Sequence, residues 1–283
     1  MLNVFRRHKK DPKSELRSLI GDYELPSFSG TVMKVLTTLR DPDFSMTEVA
    51  EQLQADPGLH VKVLKTVNSA AFGLSTRVSN LHHAATLLGR SRLETIVLSQ
   101  AVNGVLPTVQ VPFFDMKQFW ISAARRASLA RVLAHHLHPA TQVESFTAGL
   151  LQDMALPVLI TIKPKEYRVI MRRWKIEKGS WLNALEREIL GYDHSTIGAL
   201  MAEEWGLPEY LIIAISGHHD LDGESQVEPA IKLVSYIRGG DKEDATDIIV
   251  NLCIEEFGME QDTTMEMINK AFEDAKELAK MLR

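Results

Sequence analysis

Ser45-Met-Thr-Glu-Val-Ala-Glu-Gln-Leu-Gln-Ala-Asp-Pro-Gly-Leu59 holds two helix starts in fifteen residues. Ser45-Met-Thr-Glu48 has the form of a capping box, in which the serine hydroxyl accepts from a first-turn N–H and the glutamate reaches back. Val49, Ala50 and Leu53 then fall on one helical face. Asp56-Pro57 sets a capping carboxylate before a proline at the first helical position. Val61, Leu64, Lys65 and Asn68 follow at helical spacing, and Leu207-Pro208 repeats the proline start before Tyr210–Ile215. Alternating apolar runs bounded by Asn-Gly or Asp-Gly turns are hard to find. The pattern predicts an all-α fold.

Working outward, the periodicity predicts helices over 29–39, 46–54, 57–69, 79–89, 91–104, 115–137, 142–160, 164–175, 180–190, 194–204, 207–217, 226–238, 243–257 and 263–281. Gly73, Gly89, Gly191 and Gly206 stand where helices should stop. No repeat of fixed period is evident, which argues against a solenoid.

The chain has 283 residues, 45% of them hydrophobic and 24% charged, enough for a sizeable core without disulfide or metal staples. Intrinsic disorder is excluded for the chain as a whole. The net charge of −5 is not that of a dedicated nucleic-acid binder. Cys253 is the only cysteine and sits among Ile249, Leu252 and Ile254, as a small buried hydrophobe would. The start of the chain lacks a secretory pattern, and no run of about 18 apolar residues is evident. A soluble, cytoplasmic protein without a membrane partner is expected.

Charge is unevenly spread. Residues 1–13 carry five Lys or Arg against one Asp, and residues 241–283 carry 12 acidic and 5 basic residues. Lys163–Lys178 carries seven basic and two acidic residues, with Arg168, Arg172 and Lys175 on one helical face. A solvated face is the default reading; an anion-binding face is the sharper one.

Polar residues inside apolar runs mark the candidate chemistry. Gly149-Leu-Leu-Gln-Asp-Met-Ala-Leu-Pro-Val-Leu159 embeds Gln152-Asp153 in an apolar helix, where a buried carboxylate needs a partner. Leu190-Gly-Tyr-Asp-His-Ser-Thr-Ile-Gly-Ala199 and Ile215-Ser-Gly-His-His-Asp220 place polar residues at helix ends, as pocket linings do. Neighbouring residues on a helix point about 100° apart, so His82-His83 and His135-His136 read as solvent-facing. His138, before Pro139, reads as a helix end. Asn68 reads as a cap or hydrogen-bonding hub, with Ser69 and Gly73 completing a structural motif. Trp120, Trp174, Trp181 and Trp205 read as core or half-core.

The sequence also resembles the HDOD family, bacterial signalling domains related to the HD metal-dependent phosphohydrolases. The resemblance covers about residues 22–240. It rests on an ordered set: Leu25-Pro26 and Asp41-Pro-Asp43, Gln54-Ala-Asp-Pro-Gly-Leu59, Val67-Asn-Ser-Ala-Ala-Phe-Gly73, Val78-Ser-Asn-Leu, Ala84-Ala-Thr-Leu-Leu-Gly89, Phe119-Trp120, Ala148-Gly-Leu-Leu-Gln-Asp153, Gly191–Gly198, Trp205-Gly-Leu-Pro208 and His218-His219. It implies a two-lobed helical architecture, an N-terminal lobe over 21–110 and an HD-like lobe over 111–240; the charge pattern adds a basic arm over 1–20 and acidic helices over 241–283.

Catalytic HD enzymes hold metal with a His, a His-Asp doublet and a later Asp, with further His in two-metal variants. Here Ser122 stands where the first His would be, Gln152 replaces the doublet His and leaves Asp153, and Tyr236 falls near the late Asp. His194, His218 and His219 remain. A glutamine carbonyl is a poor ligand for a transition metal. No cofactor, no metal and no catalytic residue are therefore expected. Asp153 is expected either to accept a hydrogen bond from His194 or His218 in a metal-free network or to help form a ligand or partner pocket with His194, His218, His219, Arg168, Arg172 and Lys175.

The resulting expectation is a non-catalytic signalling module with a signalling-protein partner, or a nucleotide-like ligand. No attached response-regulator, GGDEF-like or EAL-like domain is expected. The alternatives are a metal-dependent phosphohydrolase using Asp153, His194, His218 and His219, and, ranked lowest, weak nucleic-acid binding through residues 1–13 and Lys163–Lys178. The acidic helices past residue 240 are expected to pack on the HD-like lobe, with a dimer partner as the alternative.

Overall fold

The computed structural model describes residues 11–69, 77–177, 179–220, 226–238 and 242–282. Expectations for residues 1–10, for Phe72 and Gly73 and for Lys178 lie outside them. Among the described residues the fold is all-α. The first lobe comprises α1 (Pro12–Ile20), α2 (Gly30–Arg40), α3 (Met46–Gln54), α4 (Pro57–Val67) and α5 (Leu81–Val105). The HD-like lobe comprises α6 (Met116–Leu137), α7 (Gln142–Leu151), α8 (Ala155–Ile162), α9 (Pro164–Ile176), α10 (Leu182–Leu190), α11 (His194–Glu204), α12 (Glu209–Gly217) and α13 (Pro229–Val234). Two helices close the chain, α14 (Lys242–Phe257) and α15 (Gln261–Met281).

Local chemistry accounts for most boundaries. Asp56 caps α4, its carboxylate accepting from Leu59 N at 3.0 Å ahead of Pro57. The capping box at Ser45 does not form: the hydroxyl makes no cap bond, and Glu48 instead accepts from Gln52 Nε2 at 2.9 Å, one turn on. Gly89 interrupts α5 at φ 71°, a conformation open to glycine, so the two helices expected around it join in one kinked rod. The arm expected over 1–20 is helical from Pro12, and α1 packs against α11.

The single helix expected over 142–160 is two. Pro157 has no N–H to offer the Asp153 carbonyl, and its ring would clash there in a continuous helix. The chain turns over 152–154 and restarts as α8, which carries Asp153 out of the apolar rod. In the same motif Gly149 lets α7 approach α6 closely. A Cβ at Gly149 would lie 2.9 Å from the Arg126 carbonyl oxygen.

The lobes share a continuous apolar core that runs from Leu16 and Leu36 through Val97 and Ala123 to Ile215. Polar ties cross between them: Arg40 Nη1 donates to Gly206 O at 2.8 Å, Trp205 Nε1 to Pro26 O at 3.1 Å, and Thr147 Oγ1 to Thr95 Oγ1 at 2.8 Å. A second core joins Leu129, Leu133 and Ala134 of α6 to Ile249 and Cys253 of α14 and to Ile268 and Phe272 of α15. The acidic helices thus bury their apolar face on their own HD-like lobe, although Ile248 points outward at 41% exposure. The run Pro139–Ile162 is apolar enough by length and hydropathy to cross a membrane, contrary to the expectation that no such run exists. Its most apolar window is 83% buried in the protein, as a core segment is.

Candidate functional site

The turn between α7 and α8, the first residue of α11 and the end of α12 bring Asp153, His194, His218 and His219 together. Asp153 Oδ1 lies 3.5 Å from His194 Nε2 and 3.4 Å from His218 Nε2. His194 and His219 meet Nε2 to Nε2 at 2.9 Å. Asp153 therefore has the imidazole neighbours expected of it.

Its other oxygen meets a residue that the sequence did not single out. Arg126 Nη1 sits 2.8 Å from Asp153 Oδ2 with only 3% of its side chain exposed, and also donates to the Ile237 carbonyl at 3.1 Å. Burial opposes ionisation of Asp153, but Arg126 and the two imidazoles outweigh it and hold the carboxyl well below its usual range. Arg126 lies one turn after Ser122 on α6, so both reach the same cavity. The only signal for it was a charge in a run of alanines, Ala123-Ala-Arg-Arg-Ala127.

Glu186 was also missed. It is fully buried on α10 and accepts three bonds: from Tyr167 Oη at 2.6 Å, from His194 N at 2.8 Å and from His194 Nδ1 at 2.6 Å. Burial disfavours the His194 imidazolium, but Glu186 and Asp153 prevail and push its pKa up to about 10. Burial, with Glu186 next, raises the Tyr167 phenol well above its ordinary value. Burial and the neighbouring His218 and His194 push the His219 pKa down. His218 faces the Ile215 carbonyl with Nδ1 at 2.8 Å; a carbonyl only accepts, so Nδ1 carries the proton. No hydrogen bond closes on its Nε2.

A cavity of about 260 Å³ opens beside this cluster. Asp153, His194, His219, Arg126, Ser122 and Ser235 form its polar end. Phe113, Phe119, Leu156, Met171, Trp174 and Trp181 form its apolar wall. Trp181 is its central pillar: Arg238 stacks over it at 3.8 Å, and the rings of Tyr236 and His219 stand edge-on at 5.1 and 5.5 Å. Trp174 and Trp181 thus have a cavity role beyond the packing expected of them, whereas Trp120 and Trp205 are buried.

Several expected pocket residues are elsewhere. Arg168, Arg172 and Lys175 lie on the exposed face of α9, whose inner face carries Tyr167, Ile170 and Trp174; helical period puts the two sets on opposite sides. The arginines that line the cavity are Arg126 and Arg238 instead. Gln152 is buried at 1% exposure and does not line the cavity. Tyr236 packs on Trp181, and its neighbour Ser235 faces the cavity. His82, His83, His135 and His136 are exposed, as expected. Asn68 is a structural hub and Ser69 is buried beside it, donating to the Thr66 carbonyl at 2.7 Å.

The donor set of a catalytic HD site does not fit here. Ser122 offers a single hydroxyl, Gln152 points elsewhere, and the guanidinium of Arg126 occupies one oxygen of Asp153. No hydrolytic step follows from these residues.

Comparison with known proteins agrees with the fold. A family model for the HDOD domain matches residues 25–221. The chain belongs to the HDOD family. A protein of Treponema pallidum (strain Nichols), uncharacterized by name, is 26% identical over 215 residues. Those residues are 75% of this chain and 41% of that relative, so the HDOD chain spans about two-fifths of the relative's length. Among solved structures, a Shewanella amazonensis SB2B protein provisionally named a phosphohydrolase superposes with a TM-score of 0.75 at 24% identity, covering 98% of this chain and 99% of its own. A Marinobacter aquaeolei VT8 protein provisionally named for signal transduction gives 0.73 at 19% identity, covering 96% and 66%. An HDOD domain protein of unknown function from Geobacter sulfurreducens gives 0.67 at 20%, covering 95% and 91%. These likenesses establish the fold.

Proposed function

We propose that this HDOD chain is a non-catalytic signalling module. Its HD-like cavity takes a small ligand, and its two-lobed surface presents the outcome to a protein partner. The observation that carries this reading is Arg126 against Asp153 at 2.8 Å. In a metal hydrolase the charge beside this carboxylate belongs to an ion that activates water and clamps phosphate oxygens. Here a guanidinium from α6 supplies it, and Ser122 and Gln152 stand where ligands would be.

The cavity supports a ligand with an apolar or aromatic body and an anionic group. Trp174 and Trp181 offer faces for the body, and Arg238 at the rim offers a cation for the anion. A nucleotide-like molecule has that chemistry. The signal has a route out, because α6 carries Ser122 and Arg126 on the cavity side and packs α7 and α15 along its length.

The convergence of three imidazoles, two of them beside Asp153, favours a second reading, a phosphohydrolase with an atypical ligand set. One assay separates the two. Purified protein supplied with manganese, iron or magnesium is offered cyclic dinucleotides and a chromogenic phosphodiester. The signalling reading expects turnover no greater than that of Asp153→Ala. Enzyme-like turnover that Asp153→Ala abolishes would overturn it.

A further inference from the structure

We infer that two copies of this chain associate by laying the basic outer stripe of α9 of one copy against the acidic outer stripe of α14 of the other.

The α9 stripe carries both charge and apolar surface. Lys165, Arg168, Val169, Arg172, Lys175 and Ile176 are all exposed and recur in steps of three and four, so they share one face. Tyr167 and Ile170, on the opposite side, are buried in the lobe. Val169 is 50% exposed and Ile176 67%. A lone exposed aliphatic side chain is ordinary; two among four cations form a surface that water alone serves poorly. The cations are also uncommitted. Arg173, on the flank of the same helix, is held by Glu177 and Glu188 at 2.7 and 2.6 Å. Lys165, Arg168, Arg172 and Lys175 close no ion pair among the described residues.

The α14 stripe is its complement. This helix buries Ile249, Val250 and Cys253 on the lobe and turns Asp247, Ile248, Asn251 and Glu255 outward, with Leu252 half-buried beside them. Asp247, Asn251 and Glu255 repeat every four residues, which puts them in one row. Neither Asp247 nor Glu255 closes an ion pair among the described residues. The lengths agree: at 1.5 Å per residue, Arg168 to Lys175 spans about 10 Å and Asp247 to Glu255 about 12 Å. Each stripe thus offers aliphatic side chains beside a row of like charge, and the two charges are opposite.

A second copy accounts for both stripes with one partner. Nucleic acid would pair the α9 cations and leave Val169 and Ile176 in water. An anionic lipid surface would cover all of α9 but leave the α14 stripe unpartnered. In a two-fold pair each copy supplies both stripes, so the contact forms twice and closes. Exposed ion pairs are individually weak and screened by salt, so the association should be modest and salt-sensitive.

The test is sedimentation of the full chain over a range of concentrations, at about 50 mM and about 1 M salt. A mass that rises towards two copies with concentration is expected at low salt, with a weaker rise at high salt. Arg168→Glu with Arg172→Glu should raise the dissociation constant by at least about tenfold, because like charges then face each other. Asp247→Lys with Glu255→Lys should do the same. A chain carrying all four changes should associate again, which also shows that the substituted helices fold. A chain that is monomeric at every concentration would overturn the pairing. So would association that salt or either reversal leaves unchanged, or a four-fold variant that stays monomeric. Binding of phosphatidylserine vesicles or of duplex DNA by a chain that remains monomeric would assign α9 to another anion and overturn it too. The pairing needs no ligand in the cavity, so it and the signalling reading fail separately.

Discussion

Two polar centres lie inside this molecule, and they are finished to different degrees. At the end of α4, Asn68 uses its whole amide: Nδ2 donates to the carbonyls of Leu64 and Val78, both at 2.8 Å, and Oδ1 accepts from Val78 N at 2.7 Å. It fastens residue 78 back onto the helix end, and both amide hydrogens are engaged by the chain's own carbonyls. Around Asp153, the buried atoms His218 Nε2, His219 Nδ1 and Arg126 Nη2 close no hydrogen bond. A centre satisfied by its own chain is architecture. One with unsatisfied atoms beside a cavity keeps hydrogen-bonding capacity that its own chain does not use. The contrast separates two motifs that look equally polar in the sequence.

Arg126→Met should have the largest effect on stability. It removes the guanidinium from the Asp153 carboxylate, and breaking a buried ion pair costs about 3–5 kcal/mol. Urea unfolding measures this. A loss below about 1 kcal/mol would mean that water reaches the pair, and the contrast with Asn68 would weaken. Asn68→Ala should follow at roughly 3 kcal/mol, since it leaves the buried backbone N–H and carbonyl of Val78 unpaired. Asn68→Asp sharpens the point: it can still accept from Val78 N but cannot donate to either carbonyl.

The sequence made the helices legible because their signals are local. Asp56-Pro57 and the glycines at 89, 191 and 206 act within one turn, and the structure ends or kinks helices where they stand. The break at 152–154 was hidden by the unbroken apolar pattern around it, although Pro157 held the clue. Asp153 and the three histidines were legible as polar residues in apolar surroundings. Arg126 and Glu186 were not, because their roles arise from contacts 27 and 8 residues away, Arg126 to Asp153 and Glu186 to His194. Helical periodicity says which face is buried, but not which buried charge meets which. The same limit misplaced Arg168, Arg172 and Lys175, whose shared face is real but turned to solvent.

Asp193 gives the smallest and most easily titrated test, since it is a finished centre at the edge of the unfinished one. It caps α11, accepting from Thr196 N and Thr196 Oγ1 at 2.8 Å and from Ser195 Oγ at 2.7 Å, with Arg187 on its other oxygen. Burial opposes its charge, but these donors prevail and lower its pKa from 3.8 to about 2. The folded value lies below the unfolded one. The stabilisation is therefore fully present above about pH 4 and is lost as pH falls towards 2. With Arg187 59% exposed and screened by solvent, the contribution should be about 1–2 kcal/mol. Asp193→Asn keeps a capping oxygen but cannot ionise, so its deficit against the parent should shrink between pH 5 and pH 2.5. A deficit that stays constant over that range would show that the cap works through hydrogen bonding alone. The carboxylate would then belong with Asn68 as neutral architecture, and the boundary between the two kinds of centre would run between Asp193 and His194.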